Sequence, residues 1–127
     1  MTASVSERTI EAGLENNAEL IKGFYTFMVF DSGTVTDSSE APVHEIIRKN
    51  VSTTRDGKNL NFVATVNEGE VTEAVDIVAV WLGGKDASDN DVFLAMHEIN
   101  ASELSPSSGI TYTLPYAISG YNEEYDG

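Results

Sequence analysis

The residues of this chain that could do chemistry are few and poorly spaced for it. Two histidines are present, His44 and His97. His97 sits beside Glu98 in a β-patterned run, and neighbours in a strand point to opposite faces, so the two do not form an acid–base pair. Serines are plentiful, but no G-x-S-x-G elbow holds one as a nucleophile. Neither a G-x-x-x-x-G-K-[ST] loop nor a G-x-G-x-x-G loop is present to cradle phosphates. The residue types therefore assemble no nucleophile, base and oxyanion donor, and the expectation is a protein without catalysis and without a cofactor.

Oxygen ligands offer the one metal pattern. In Asp86-Ala-Ser88-Asp89-Asn90-Asp91 the residues Asp86, Ser88 and Asn90 alternate as they would around a hard cation such as Ca²⁺. An EF-hand loop would need Gly where Asp91 stands and a bidentate Glu where His97 stands. A solvated hairpin loop is the plainer reading. Glu68, Glu70 and Glu73 form a second acidic group that reads as a turn. Asn50-Val-Ser52 and Asn100-Ala-Ser102 fit the glycosylation pattern, which only a secreted chain would use. Cysteine is absent, which removes disulfides, thiolate catalysis and Cys-type zinc sites.

Charge narrows the partners. Twenty-one acidic residues against seven basic ones give a formal net charge of −14 over 127 residues. Phosphate-backbone binding needs clustered cations, and here they are scattered, so neither nucleic acid nor an anionic membrane is expected as a partner. The carboxylates are spread through the loops. Molar salt would screen their repulsion within about 3 Å, which fits a high-salt habitat as well as a merely solubilised surface. The N-terminus lacks a basic segment followed by an apolar one, so no signal peptide is expected.

The elements that must position these residues are mostly strands. Thr9 to Ile21 has Ile10, Leu14, Ala18 and Ile21 at helical spacing, with Thr9 as a candidate N-cap and Lys22-Gly23 as a stop. Phe24 to Phe30 is an aromatic strand, apolar on both parities, and so buried on both faces or placed at a subunit contact. Asp31 to Pro42 is a loop, long enough to be mobile or to meet a partner. Glu45 to Thr54 is a second strand. Asp56-Gly57 predicts a type I′ hairpin turn into Asn59 to Val66, which puts Leu60, Phe62, Ala64 and Val66 on the core face.

Val75 to Leu82 is a central strand ended by Gly83-Gly84. Val92 to Ile99 and Ile110 to Ile118 complete six, the last at an edge or bulged at Pro115, which cannot donate to a ladder. The fold class expected is mainly β: an antiparallel β-sandwich or partly closed barrel with one short N-terminal helix. It forms a single domain over 1–127, with an N-terminal arm (1–8) and a polar C-terminal tail (119–127).

The order of these parts resembles tail-fibre attachment and baseplate-associated proteins of tailed phages and archaeal tailed viruses. The resemblance is carried by Glu11-Ala12-Gly13-Leu14 in the helix and by the aromatic strand ending near Gly33. The small-residue loop Thr34 to Pro42, Arg48-Lys49-Asn50-Val51 and the Asp56-Gly57-Lys58-Asn59 hairpin continue it. Asp76 and Val78 depart from the family's polar-and-Gly arrangement in the strand that follows.

The resemblance implies a structural virion protein acting in several copies by docking and presentation. Its partners would be other virion proteins and copies of itself. Its location would be the virion, tail before head, after synthesis in the host cytoplasm. In the family such a domain often begins a long fibre; none follows Gly127 here, so the expectation is an adaptor, a baseplate component or a stand-alone surface protein. Phe24, Tyr25, Phe27, Tyr112, Tyr116 and Tyr121 are the interface candidates, since aromatics favour interfaces. A capsid decoration or turret protein is the alternative. A small carbohydrate- or Ca²⁺-binding module, with Trp81 and the tyrosines stacking on sugar, is the second.

Overall fold

The computed structural model describes residues 10–118 and the backbone of 5–6 and 124–125. Its core is a pair of antiparallel sheets and one helix, in a sandwich-like arrangement that does not close into a barrel. Helix α1 runs Glu11–Phe24. Ile10 is its extended N-cap residue and offers no side-chain cap; Glu11 in the first turn instead complements the helix dipole. Thr9, the expected cap, lies outside the described residues. Lys22-Gly23 does not stop the helix. It ends at Phe24, where Tyr25 turns extended and donates its N–H to Ile21 O.

The chain passes directly into β2 (Tyr25–Asp31), counting the two-residue strand Val5–Ser6 as β1. A four-stranded sheet has the order β3-β2-β6-β7, with β3 at Glu45–Asn50, β6 at Val75–Lys85 and β7 at Asp91–Leu104. A three-stranded sheet has the order β4-β5-β8, with β4 at Ser52–Asp56, β5 at Asn59–Val66 and β8 at Ile110–Ala117. Val5–Ser6 pairs with β9 (Glu124–Tyr125), so the expected arm and tail meet through their backbones.

The alternation in Asn59 to Val66 is realised in full. Leu60, Phe62, Ala64 and Val66 are buried and face Met28, Phe30, Ile77, Val80 and Leu82 of the other sheet, with Leu14 and Ala18 of α1 completing the core. Pro115 lies opposite Asn61 on β8, which is an edge strand as expected. The aromatic strand is buried on both faces, with Phe27 to Asp31 all inaccessible.

Further expectations about the elements are corrected. Glu45 to Thr54 is two strands in two sheets. The break falls at Val51, whose N–H donates to Thr26 O in β2, while the next residue, Ser52, pairs with Val63 in the other sheet. The chain thus turns the corner of the sandwich between two strands, and β-propensity is the same on both sides of the corner. The hairpin loop is Gly57-Lys58, flanked by the pair Asp56 and Asn59. Positive φ occurs at Gly57 (+61°) and not at Lys58, the φ pattern of a type II′ turn and not type I′.

Gly83-Gly84 does not end β6, which continues to Lys85. A Cβ on Gly83 would lie 2.7 Å from the Phe27 ring and 2.8 Å from the Phe93 ring, and one on Gly84 would lie 2.3 Å from Phe24 O. The two glycines are there for close packing. β7 likewise exceeds its expected span, because it follows β6 along its whole length through two register shifts.

Candidate docking face

The outer face of the four-stranded sheet, away from the main core, carries its own apolar cluster. Phe27 and Val29 of β2 and Ala79 and Trp81 of β6 are buried there, with Phe93, Met96 and Val35 packed against them. Trp81 and Phe27 both meet Phe93 edge-on. Arg48, on the neighbouring strand, lies with its guanidinium 4.5 Å over the Phe27 ring. It also donates to Glu45 and, across the sheet, to Asp91. Hydrogen bonds from Arg48 and then Lys85 hold the Asp91 carboxyl far below the usual carboxylate range.

Asp31 ends β2 on this same face and is fully buried. Its Oδ1 accepts N–H groups of Gly33 and His44, and its Oδ2 accepts that of Val43, each at 2.8 Å. Trp81 Nε1 donates to Oδ2 at 3.0 Å. Burial by itself would raise the Asp31 carboxyl, but the three backbone donors and the indole outweigh it and hold it below its ordinary value. One carboxylate therefore ties the first turn of the 32–44 loop, its last two residues and the sheet beneath. Ser32 N–H to His44 O, and a hydrogen bond shared by Ser32 Oγ and His44 Nδ1, close the base further.

The loop has internal order as well. Ser39 N–H donates to Thr36 O, and Thr36 N–H donates to Ser39 Oγ. Two open clefts flank it. One of about 420 Å³ has Ser39 and Glu40 on the loop side and Trp81, Phe93 and Met96 on the sheet side. The other, about 250 Å³, has Thr34 and Val35 against Val78, Glu98 and Ile99. The smaller sets Val35, Val78 and Ile99 beside the Glu98 carboxylate, and the larger sets the Glu40 carboxylate over the sheet. The arrangement can hold a partner's side chains against a fixed loop.

The sites expected from sequence are scattered over this frame. Asp86 Oδ1 accepts the N–H groups of Ser88 and Asn90, and Oδ2 accepts Asn90 Nδ2, so the loop's own donors use the carboxylate that a cation would need. Hydrogen bonds from Asn90 first, then Ser88, lower its pKa. Among the described residues no group of three or more His, Asp or Glu is arranged to hold a metal ion. Glu70 pairs with Lys49 and accepts Asn67 N–H, a bracing role within its turn. His97 faces inward and shares a hydrogen bond with Tyr112 Oη, joining β7 to β8 between the two sheets. Glu98 faces the outer cleft, so the two do lie on opposite faces.

Of the interface candidates, Phe24 is exposed and Tyr25, Tyr112 and Tyr116 are half-buried against the core. Burial raises the pKa of Tyr25, with the nearby Tyr116 adding to it, and burial raises that of Tyr112. Phe27 is buried under Phe93 and Arg48 and is no contact surface in this chain. Tyr121 lies outside the described residues. Trp81 is 2% exposed with its N–H committed to Asp31, so it cannot stack on a sugar.

Sequence reasoning missed Asp31, which reads as the first residue of a loop. The signal was an Asp-Ser-Gly directly after an aromatic run, where an Asx-type turn is favoured. No protein-family model, curated protein or solved structure matches this chain.

Proposed function

We propose that this chain is a structural protein of a tailed-virus particle, acting without catalysis as a multi-copy tail, baseplate or fibre-attachment component. The observation that supports this best is the Asp31 clamp. It gives the 32–44 loop a fixed shape on a rigid double-layered scaffold, which is how recognition loops are commonly mounted. The loop is the Ser/Thr/Ala/Pro segment on which the tail-protein resemblance partly rests. Its partners are other virion proteins and copies of itself.

Electrostatics supports protein partners over nucleic acid. Each described cation, namely Lys22, Arg48, Lys49, Arg55, Lys58 and Lys85, lies within 3.9 Å of a carboxylate. What remains on the surface is acidic. No described helix is long and apolar enough to cross a membrane. The uncompensated carboxylates also suit a particle that assembles in strong salt, as that of a halophilic archaeal host would.

The test is position in the particle. Antibody labelling of purified virions, with mass spectrometry of separated heads and tails, is expected to find the chain on tails. Labelling of heads alone would move it to a decoration or turret role, and absence from particles would overturn the reading.

A further inference from the structure

Helix α1 is apolar over a wider arc than the core covers. At 3.6 residues per turn, Leu14, Ala18 and Ile21 form the arc packed on the core. Next to it on one side run Gly13, Asn17, Leu20 and Phe24, preceded by the extended N-cap residue Ile10, all exposed. Ile10, Leu20 and Phe24 are 61%, 65% and 39% exposed, and Val43 is the one other large apolar residue that open among the described residues. The helix's charges, Glu11, Glu15, Glu19 and Lys22, fall on the opposite side. There Glu11 and Glu19 meet Lys58 and Arg55 of the β4–β5 hairpin.

We propose that this exposed stripe is a self-association seam, and that its occupant is the same helix of a second copy, running antiparallel across a two-fold axis at Asn17. The inference rests on the multi-copy reading above. Two features select a second copy. Between molecules of formal charge −14, the stripe and its outer flank (Ala12, Asn16, Gly23) present no charge, so two copies approach here without opposing carboxylates. The stripe is also complementary to its own reversal. Its spacing of 10, 13, 17, 20 and 24 alternates three and four residues, as a helix–helix seam requires.

In the antiparallel pair Leu20 lies about 1.5 Å along the axis from the level of the other copy's Gly13, where the space beyond the backbone holds no atom within 4 Å of a Cβ position. Ile10 faces Phe24, and Asn17 meets Asn17 with a partner for each amide. A parallel pair would set Gly13 against Gly13 and leave a gap. The interface is isologous, as a two-fold dimer requires.

Sedimentation velocity and far-UV circular dichroism on the full chain test this in molar and in ~0.1 M NaCl. The wild type is expected to show a monomer–dimer equilibrium. Gly13→Leu fills the receiving space. It should weaken the dimer about thirty-fold, the scale of a hot-spot loss, while raising the melting temperature of the monomer, because Leu is a better helix former than Gly. Since the chain has no cysteine, Asn17→Cys should oxidise to a linked dimer. Leu20→Cys should not, because its copy lies about 9 Å away along the axis, beyond disulfide reach.

A Leu20→Cys dimer, or a wild type monomeric at every concentration, would overturn the seam. Virion labelling separates the two readings: a monomer present in tails sinks the seam alone, and a Gly13→Leu-sensitive dimer absent from particles sinks the virion role alone.

Discussion

Asp31 and Asp86 carry out the same local chemistry in opposite settings. Each carboxylate accepts the N–H two residues on, and each closes a loop at the end of a strand. Asp86 does so in water over a loop of five residues, where every donor it binds has a solvent alternative. Asp31 does so fully buried, for donors twelve and thirteen residues away and for an indole fifty residues away. A buried donor that loses its acceptor bears the full cost of desolvation. The same hydrogen bond is therefore a local turn preference in one place and a tertiary clamp in the other.

The sharpest way to break the comparison is Asp31→Ala. It strands Trp81 Nε1 and three backbone N–H groups, and we expect a loss of about 3 kcal/mol in urea unfolding, with the 32–44 loop becoming protease-sensitive before the sheets unfold. Trp81→Phe removes one charge-assisted donor and some buried volume. About 2 kcal/mol is expected by the same measurement, with the backbone donors to Asp31 still in place.

Acid gives a smaller separation. The folded Asp31 carboxyl titrates below its unfolded value of about 3.9, so its stabilising contribution is present above that pH and is lost as pH falls through the folded value. The stability gap between wild type and Asp31→Asn should narrow below about pH 4, whereas the gap for Asp86→Asn, whose carboxyl is also lowered but lies in water, should narrow over the same range from a much smaller value. Smallest of all is Asp86→Ala, for which the thermal midpoint should match the wild type within error.

Much of the fold was legible because apolar pattern and fold agreed. Asn59 to Val66 alternates in sequence and in burial, and Val75 to Leu82 is apolar on both parities because a second cluster covers the outer face of its sheet. What was not legible depended on distant partners. Val51 has no residue type that announces a change of sheet. Gly83-Gly84 resembles a stop, because the rings of Phe27 and Phe93 and the carbonyl of Phe24 that require it are remote in sequence. Asp31 looked like loop polarity, because its donors Val43, His44 and Trp81 lie outside any local window. The candidate docking face was missed for that reason, while of the aromatic residues expected at an interface Phe27 is buried in packing and Phe24 is exposed.

Amide hydrogen exchange at neutral pH, resolved by residue, tests the central claim that the 32–44 loop is clamped by Asp31. Gly33, Val43 and His44 should exchange as slowly as amides of β2 and β6, and much faster in Asp31→Asn. If these three amides exchange in the wild type as fast as the unbonded amides at the loop tip, the loop is not clamped and the account of a rigidly presented docking face is wrong.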